Sequence, residues 1–142
     1  MSKRILIVDD DSLMRRSLSI SLEHAGYDTV TAPSAEDATE LLRVAKPDLV
    51  LLDIGLPGVD GLEALRLIRQ QDTSLPIIFV TARRRELDEV VGLELGADDY
   101  ITKPVIPDEM RLRIEGGIRL LRLEIQEELI LSMAKLAEYR SD

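Results

Sequence analysis

Cysteine is absent from the 142-residue sequence, which excludes disulfides, thiolate metal sites and thiol nucleophiles. Histidine occurs once, so no multi-histidine metal centre can form. Tryptophan is missing and aromatics make up 3%. The core must therefore be built from Leu, Ile, Val and Ala. A basic excess is also missing. Lys and Arg number 18 against 27 Asp and Glu, for a net charge of −9. That argues against non-specific nucleic-acid or anionic-membrane binding, since both require a basic face. No apolar run approaches the length of a membrane span. Met1-Ser2-Lys3-Arg4 leads straight into an apolar run, without the hydrophobic region and cleavage site of a signal peptide. The expectation is a soluble cytoplasmic protein of one domain with a modest extension.

What is present is a set of short apolar runs separated by helical patterns. Leu49-Val50-Leu51-Leu52 is apolar on both faces and ends on Asp53. Such a run predicts a strand buried inside a parallel sheet. The Gly- and Pro-rich stretch from Ile54 to Gly61 then predicts a loop. Ile5 to Val8, Asp28 to Thr31, Ile77 to Val80 and Ala97 to Ile101 read as four further strands. The stretches between them carry helical spacing. In the first, Leu13, Leu18 and Leu22 lie on or near one face, with Met14 beside them. Ser12 can cap that helix, Arg15 and Arg16 fall on its wet face, and Gly26 ends it. Ser34, with Asp37 three residues on, caps the second helix, which ends before Lys46-Pro47. Asp60 or Gly61 opens a third, with Leu62, Leu65 and Ile68 buried. A fourth begins at Arg83-Arg84-Arg85, and Pro107-Asp108-Glu109 opens a last one.

Five alternations of strand and helix predict an α/β fold with a doubly wound parallel sheet, helices on both faces and the last helix extended. Right-handed crossovers suit the order 2-1-3-4-5. Ligands in open sheets of this kind bind at the carboxyl ends of strands, at the switch point. Here the switch falls between strands one and three, whose ends carry Asp9-Asp10 and Asp53. The flanking strand ends carry Thr81 and Lys103. Asp53 alone could be a turn cap, a metal ligand or a nucleophile. Three nearby carboxylates repel unless a cation joins them. An all-oxygen set favours Mg²⁺. With an ammonium and a hydroxyl beside them, the group suits a clamp around a transferring phosphoryl group, with Asp53 as nucleophile. Asp11 reads as a solvated cap residue, and His24 as an exposed residue without a role.

The residues Val8-Asp9-Asp10, Leu52-Asp53, Leu56-Pro57-Gly58-Val59-Asp60-Gly61, Val80-Thr81-Ala82, Gly96-Ala97-Asp98-Asp99-Tyr100 and Lys103-Pro104 occur in order along the chain. Together they resemble the receiver domain of two-component response regulators, over roughly residues 3 to 122. The resemblance implies that Asp53 accepts a phosphoryl group from a phosphohistidine on a sensor histidine kinase or a histidine phosphotransfer protein. It implies that Asp9, Asp10, Asp53 and the backbone carbonyl of Gly55 hold Mg²⁺, and that Thr81 and Lys103 bind phosphoryl oxygens. Tyr100 resembles the aromatic switch residue that follows Thr81, and Lys103-Pro104 resembles the family's cis peptide. Gly55 and Arg83 occupy positions lining the approach of attacking water in the family. The chain would catalyse only its own phosphorylation and dephosphorylation.

Past the receiver, an apolar seam continues through Ile114, Ile118, Leu121, Ile125, Leu129, Met133 and Leu136. The division expected is a receiver over 1–122 and a helical stalk over 123–142. The stalk would pair in a homodimer or lead into a further domain. Ser132 to Asp142 resembles the first helix of HD-GYP-type cyclic-di-GMP phosphodiesterases, placing that effector ahead of a diguanylate cyclase. No DNA-binding helix-turn-helix pattern is present in the chain. Two other functions compete with the phospho-acceptor. One is a constitutive dimerisation module with a vestigial site. The other is a Mg²⁺-dependent aspartyl phosphatase. The haloacid-dehalogenase type of such an enzyme carries a second Asp two residues after its nucleophile, where this sequence has Gly55.

Overall fold

The computed structural model describes residues 2–53, 61–81, 97–102 and 105–119. Its strands are β1 (Arg4–Val8), β2 (Asp28–Ala32), β3 (Leu49–Leu52), β4 (Ile77–Thr81) and β5 (Asp99–Thr102). Its helices are α1 (Ser12–His24), α2 (Ala35–Ala45), α3 (Gly61–Gln71) and α4 (107–119). The strands form one parallel sheet in the order β2-β1-β3-β4-β5. This is the doubly wound order expected from the alternation. The segment expected to be helical from Arg83, the loop 54–60, Lys103-Pro104 and the seam beyond residue 119 lie outside the described residues.

Alternation along the strands sorts the core into two layers. Leu6, Val8, Val50, Leu52, Ile77 and Phe79 face one side, where Ala35 and Ala38 of α2 and Ala64, Leu65 and Ile68 of α3 cover them. Ile5, Ile7, Leu49, Leu51, Ile78 and Val80 face the other side, under Leu18 and Leu22 of α1 and Met110 and Ile114 of α4. The central strands are apolar on both faces because both faces are covered.

The ends of α1 show how the sequence sets its limits. Asp11, rather than Ser12, is the N-cap: its carboxylate accepts the Leu13 and Met14 N–H groups. Both residue types cap well, and the turn after β1 brings Asp11 to the position first. At the other end Gly26 has φ of 95° and donates to the Glu23 carbonyl, while Tyr27 donates to Leu22. This is a Schellman stop that requires the left-handed conformation glycine adopts readily. Leu13 is 77% exposed, contrary to its expected place on the buried face. The stripe that packs runs Met14, Leu18, Leu22 at four-residue steps, and Leu13 lies well off it.

β5 begins two residues later than its pattern suggests. The Asp98 carboxylate accepts the Ile77 N–H at 2.8 Å and pairs with Arg69 at 3.0 Å. A side chain thus takes a bond that a strand carbonyl would otherwise accept. Gly116-Gly117 does not break α4, which runs through both. A Cβ at Gly117 would meet Leu49 at 3.4 Å, so the helix lies close on the sheet there.

Candidate functional site

Asp9 and Asp53 each lie one residue beyond the paired Val8 and Leu52 of β1 and β3. The ladder carries on through them. The Asp53 N–H donates to the Val8 carbonyl at 2.9 Å, and the Asp9 N–H to the Ala32 carbonyl at 3.1 Å. Continued register and alternation bring the two carboxylates side by side at the carboxyl edge. Both residues are buried, at 2% and 7% exposed, and they are the buried charged residues among those described. Asp10, the next residue, is exposed. Each of the three can offer a carboxylate oxygen within 4.8 Å of the others.

The donor set tests well against a hard divalent cation. All the available ligand atoms are carboxylate oxygens, and a mostly hydrated ion such as Mg²⁺ takes few protein ligands. Three carboxylate oxygens within 4.8 Å of one another are compatible with such an ion. Two buried walls and one exposed ligand also leave a side of the site open to solvent.

The turn that carries these residues is held by a ring of hydrogen bonds. The Asp11 N–H donates to Asp9 Oδ1 at 2.9 Å. The Arg15 N–H donates to the Asp11 carbonyl at 3.0 Å. The Arg15 side chain returns, with Nη1 donating to the Asp9 carbonyl at 2.6 Å. Sequence reading assigned Arg15 to the wet face and missed this contact. Its one signal was an arginine in the first turn of the helix that follows the acidic pair.

Thr81 ends β4, with its backbone in register with Thr102 of β5. It therefore lies at the same edge of the sheet as Asp53. Lys103, Pro104 and Gly55 are outside the described residues. Tyr100 is half-buried in β5 beside Phe79 and packs against the α3-side core. The Arg113 guanidinium lies 6.0 Å from its ring centroid and binds both Asp99 oxygens, at 2.7 and 2.8 Å. The hydrogen bonds that Arg113 donates to the Asp99 carboxylate hold its pKa above the ordinary value. A groove of about 250 Å³ runs between α1 and α4, lined by Met14, Leu18, Val105, Pro107 and Met110 together with Ser17 and Ser21.

The model of the response regulator receiver domain matches residues 5–115. The chain belongs to the response regulator receiver domain family. This receiver is 45% identical over 119 residues to the alkaline phosphatase synthesis transcriptional regulatory protein PhoP of Bacillus subtilis, covering 84% of the chain and 50% of that protein. It is 48% identical over 115 residues to the transcriptional regulatory protein AfsQ1 of Streptomyces coelicolor, covering 81% and 51%. The receiver thus spans about half the length of these two relatives. Among solved structures, a CheY-like receiver domain protein from Methanospirillum hungatei aligns with a TM-score of 0.83 at 33% identity, over 87% of this chain and 99% of that one. As a receiver it is a signalling module rather than a conventional enzyme. Among the described residues no helix is long and apolar enough to cross a membrane.

Proposed function

We propose that this receiver is a phospho-acceptor switch that takes a phosphoryl group onto Asp53 from a phosphohistidine of a sensor kinase or phosphotransfer protein. The observation that carries the reading is the convergence of Asp9, Asp10 and Asp53 within 4.8 Å at the carboxyl edge of β1 and β3, in a receiver fold. An Asp53 carboxylate oxygen attacks phosphorus, a P–O bond forms, and the P–N bond breaks with its electron pair going to the imidazole. Asp9, Asp10, Asp53 and the Gly55 carbonyl would hold Mg²⁺, which supplies Lewis-acid neutralisation of the phosphoryl charge. The Thr81 hydroxyl and Lys103 ammonium take the remaining phosphoryl oxygens, and Tyr100 turns inward as Thr81 moves. Phosphorylation raises the local charge from −1 to about −2. That extra charge is what draws the segments after β4 and β5 toward Asp53. The groove between α1 and α4 gives a phosphodonor protein a largely apolar surface to hold.

Residues 123–142 serve in this reading as a stalk that supports a homodimer or connects to an output domain. The resemblance of the terminal residues favours an HD-GYP cyclic-di-GMP phosphodiesterase over a diguanylate cyclase. The half-length match to the two transcriptional regulators agrees with a receiver joined to something further. Intact mass after incubation with Mg²⁺ and acetyl phosphate tests the central claim. One added phosphoryl group, absent in Asp53→Asn and in chelator, is expected. No adduct even at short times, with beryllofluoride binding also negative, would sink it.

A further inference from the structure

We infer that Arg15 is a positioning residue for the acidic site: its guanidinium, donated to the Asp9 carbonyl, sets the angle at which Asp10 meets a divalent cation. The inference rests on the Mg²⁺-dependent acceptor reading given above. Asp9 is the last residue whose N–H joins the sheet ladder. Its carbonyl belongs to the peptide that carries Asp10, and the Arg15 side chain binds that carbonyl at 2.6 Å. Asp9 is fixed a second time through its Oδ1, and Asp11 is committed to capping α1. Asp10 is the exposed member of the acidic trio. Packing does not hold its carboxylate, so the carboxylate follows the peptide behind it. Arg15 binds the carbonyl of that peptide directly.

Two effects of Arg15 oppose each other. Its positive charge repels an incoming cation, while its hydrogen bond pre-organises a ligand. The charge is partly solvated, and salt screens it. A charge-assisted bond to a neutral carbonyl is directional and among the stronger kinds. Outer partners of metal ligands commonly govern affinity by 10- to 100-fold. Pre-organisation therefore wins, and removing the guanidinium weakens the site rather than strengthening it.

The test is a Mn²⁺ titration followed by electron paramagnetic resonance, with Mg²⁺ as competitor, on the full chain. Arg15→Ala should raise the Kd roughly tenfold, at the low end of the outer-partner range because Arg15 holds the ligand's backbone. Arg15→Gln keeps a neutral amide donor and should recover part of the loss; it also serves if the Ala variant does not fold. At saturating Mg²⁺ the acetyl phosphate reaction of both variants should return toward the wild-type rate. A purely structural role would lower the metal-free melting temperature and leave the Kd alone. An unchanged or tighter Kd in Arg15→Ala, while Asp10→Asn abolishes binding, overturns the role of Arg15 and leaves the site standing. Metal binding unaffected by Asp10→Asn would overturn the acceptor-site reading, and this inference with it.

Discussion

Asp9, Asp10 and Asp11 are chemically identical and end in three different environments. Asp9 is buried and receives an N–H from the turn, Asp10 is exposed, and Asp11 caps α1. The sorting is done by the backbone as it leaves β1, where alternation stops and a helix begins. Asp9, Asp10 and Asp53 place three negative charges within 4.8 Å of one another, and a pair of unit charges at that range repels by about 1 kcal/mol even in a water-like dielectric. Asp10→Asn removes the exposed one of the three. In metal-free buffer the variant should therefore be more stable than wild type, with a higher melting temperature. Mg²⁺ should raise the wild-type melting temperature by mass action and leave that of Asp10→Asn unchanged. Differential scanning calorimetry with and without Mg²⁺ reads both effects. A metal-free melting temperature that falls in Asp10→Asn would show that Asp10 supports the turn rather than straining it.

At the scale of elements, α4 carries a correctable weakness. Gly116 and Gly117 lie within the helix, where each costs about 0.5–1 kcal/mol relative to alanine. A Cβ at Gly116 would meet nothing within 4 Å. Gly116→Ala should thus stabilise the domain by about 0.5–1 kcal/mol in urea unfolding, with an unchanged m-value. A loss of stability there would mean that something covers this face in solution. The elements themselves were largely legible from the sequence. β3 was legible to the residue, because Leu49–Leu52 is apolar on both faces and is followed in sequence by an acid and a stretch rich in glycine and proline. The start of β5 was misplaced because the Asp98 side chain competes with the backbone there, whereas Asp11 was legible as a cap residue and the choice between it and Ser12 was not. Leu13 failed because three leucines near one face could not all lie on the single stripe that packs. In the candidate site, Asp9, Asp10 and Asp53 were legible because charged residues at the ends of apolar strands have no packing explanation. Arg15 was not, because its role is a bond from a side chain to a backbone carbonyl, and spacing carries no trace of that.

For the whole molecule, the two core layers tie the chain's distant parts together, and one contact between them makes stability depend on pH. Tyr27, which follows the stop of α1, packs on the layer beneath α1 and α4. It shares a recess with Lys3, Glu115, Ile118 and Arg119. Burial raises its phenol pKa above the ordinary value, Glu115 adds to the rise, and Arg111 opposes it. In the unfolded chain the phenol loses its proton near pH 10. The folded state holds that proton to higher pH, so between the two values folded protein binds more protons than unfolded protein. The stability Tyr27 contributes is therefore fully present below about pH 10 and is lost as pH rises through the folded value. The comparison is made between variants that differ only in this phenol. Tyr27→Phe keeps the ring and removes the titration. Its melting temperature should fall less steeply than that of wild type between about pH 9 and pH 11. Parallel curves for the two proteins would place the alkaline sensitivity elsewhere. A steeper curve for the variant would mean that the phenol is held as the anion by Arg111, with the balance of charges across this contact the reverse of that described.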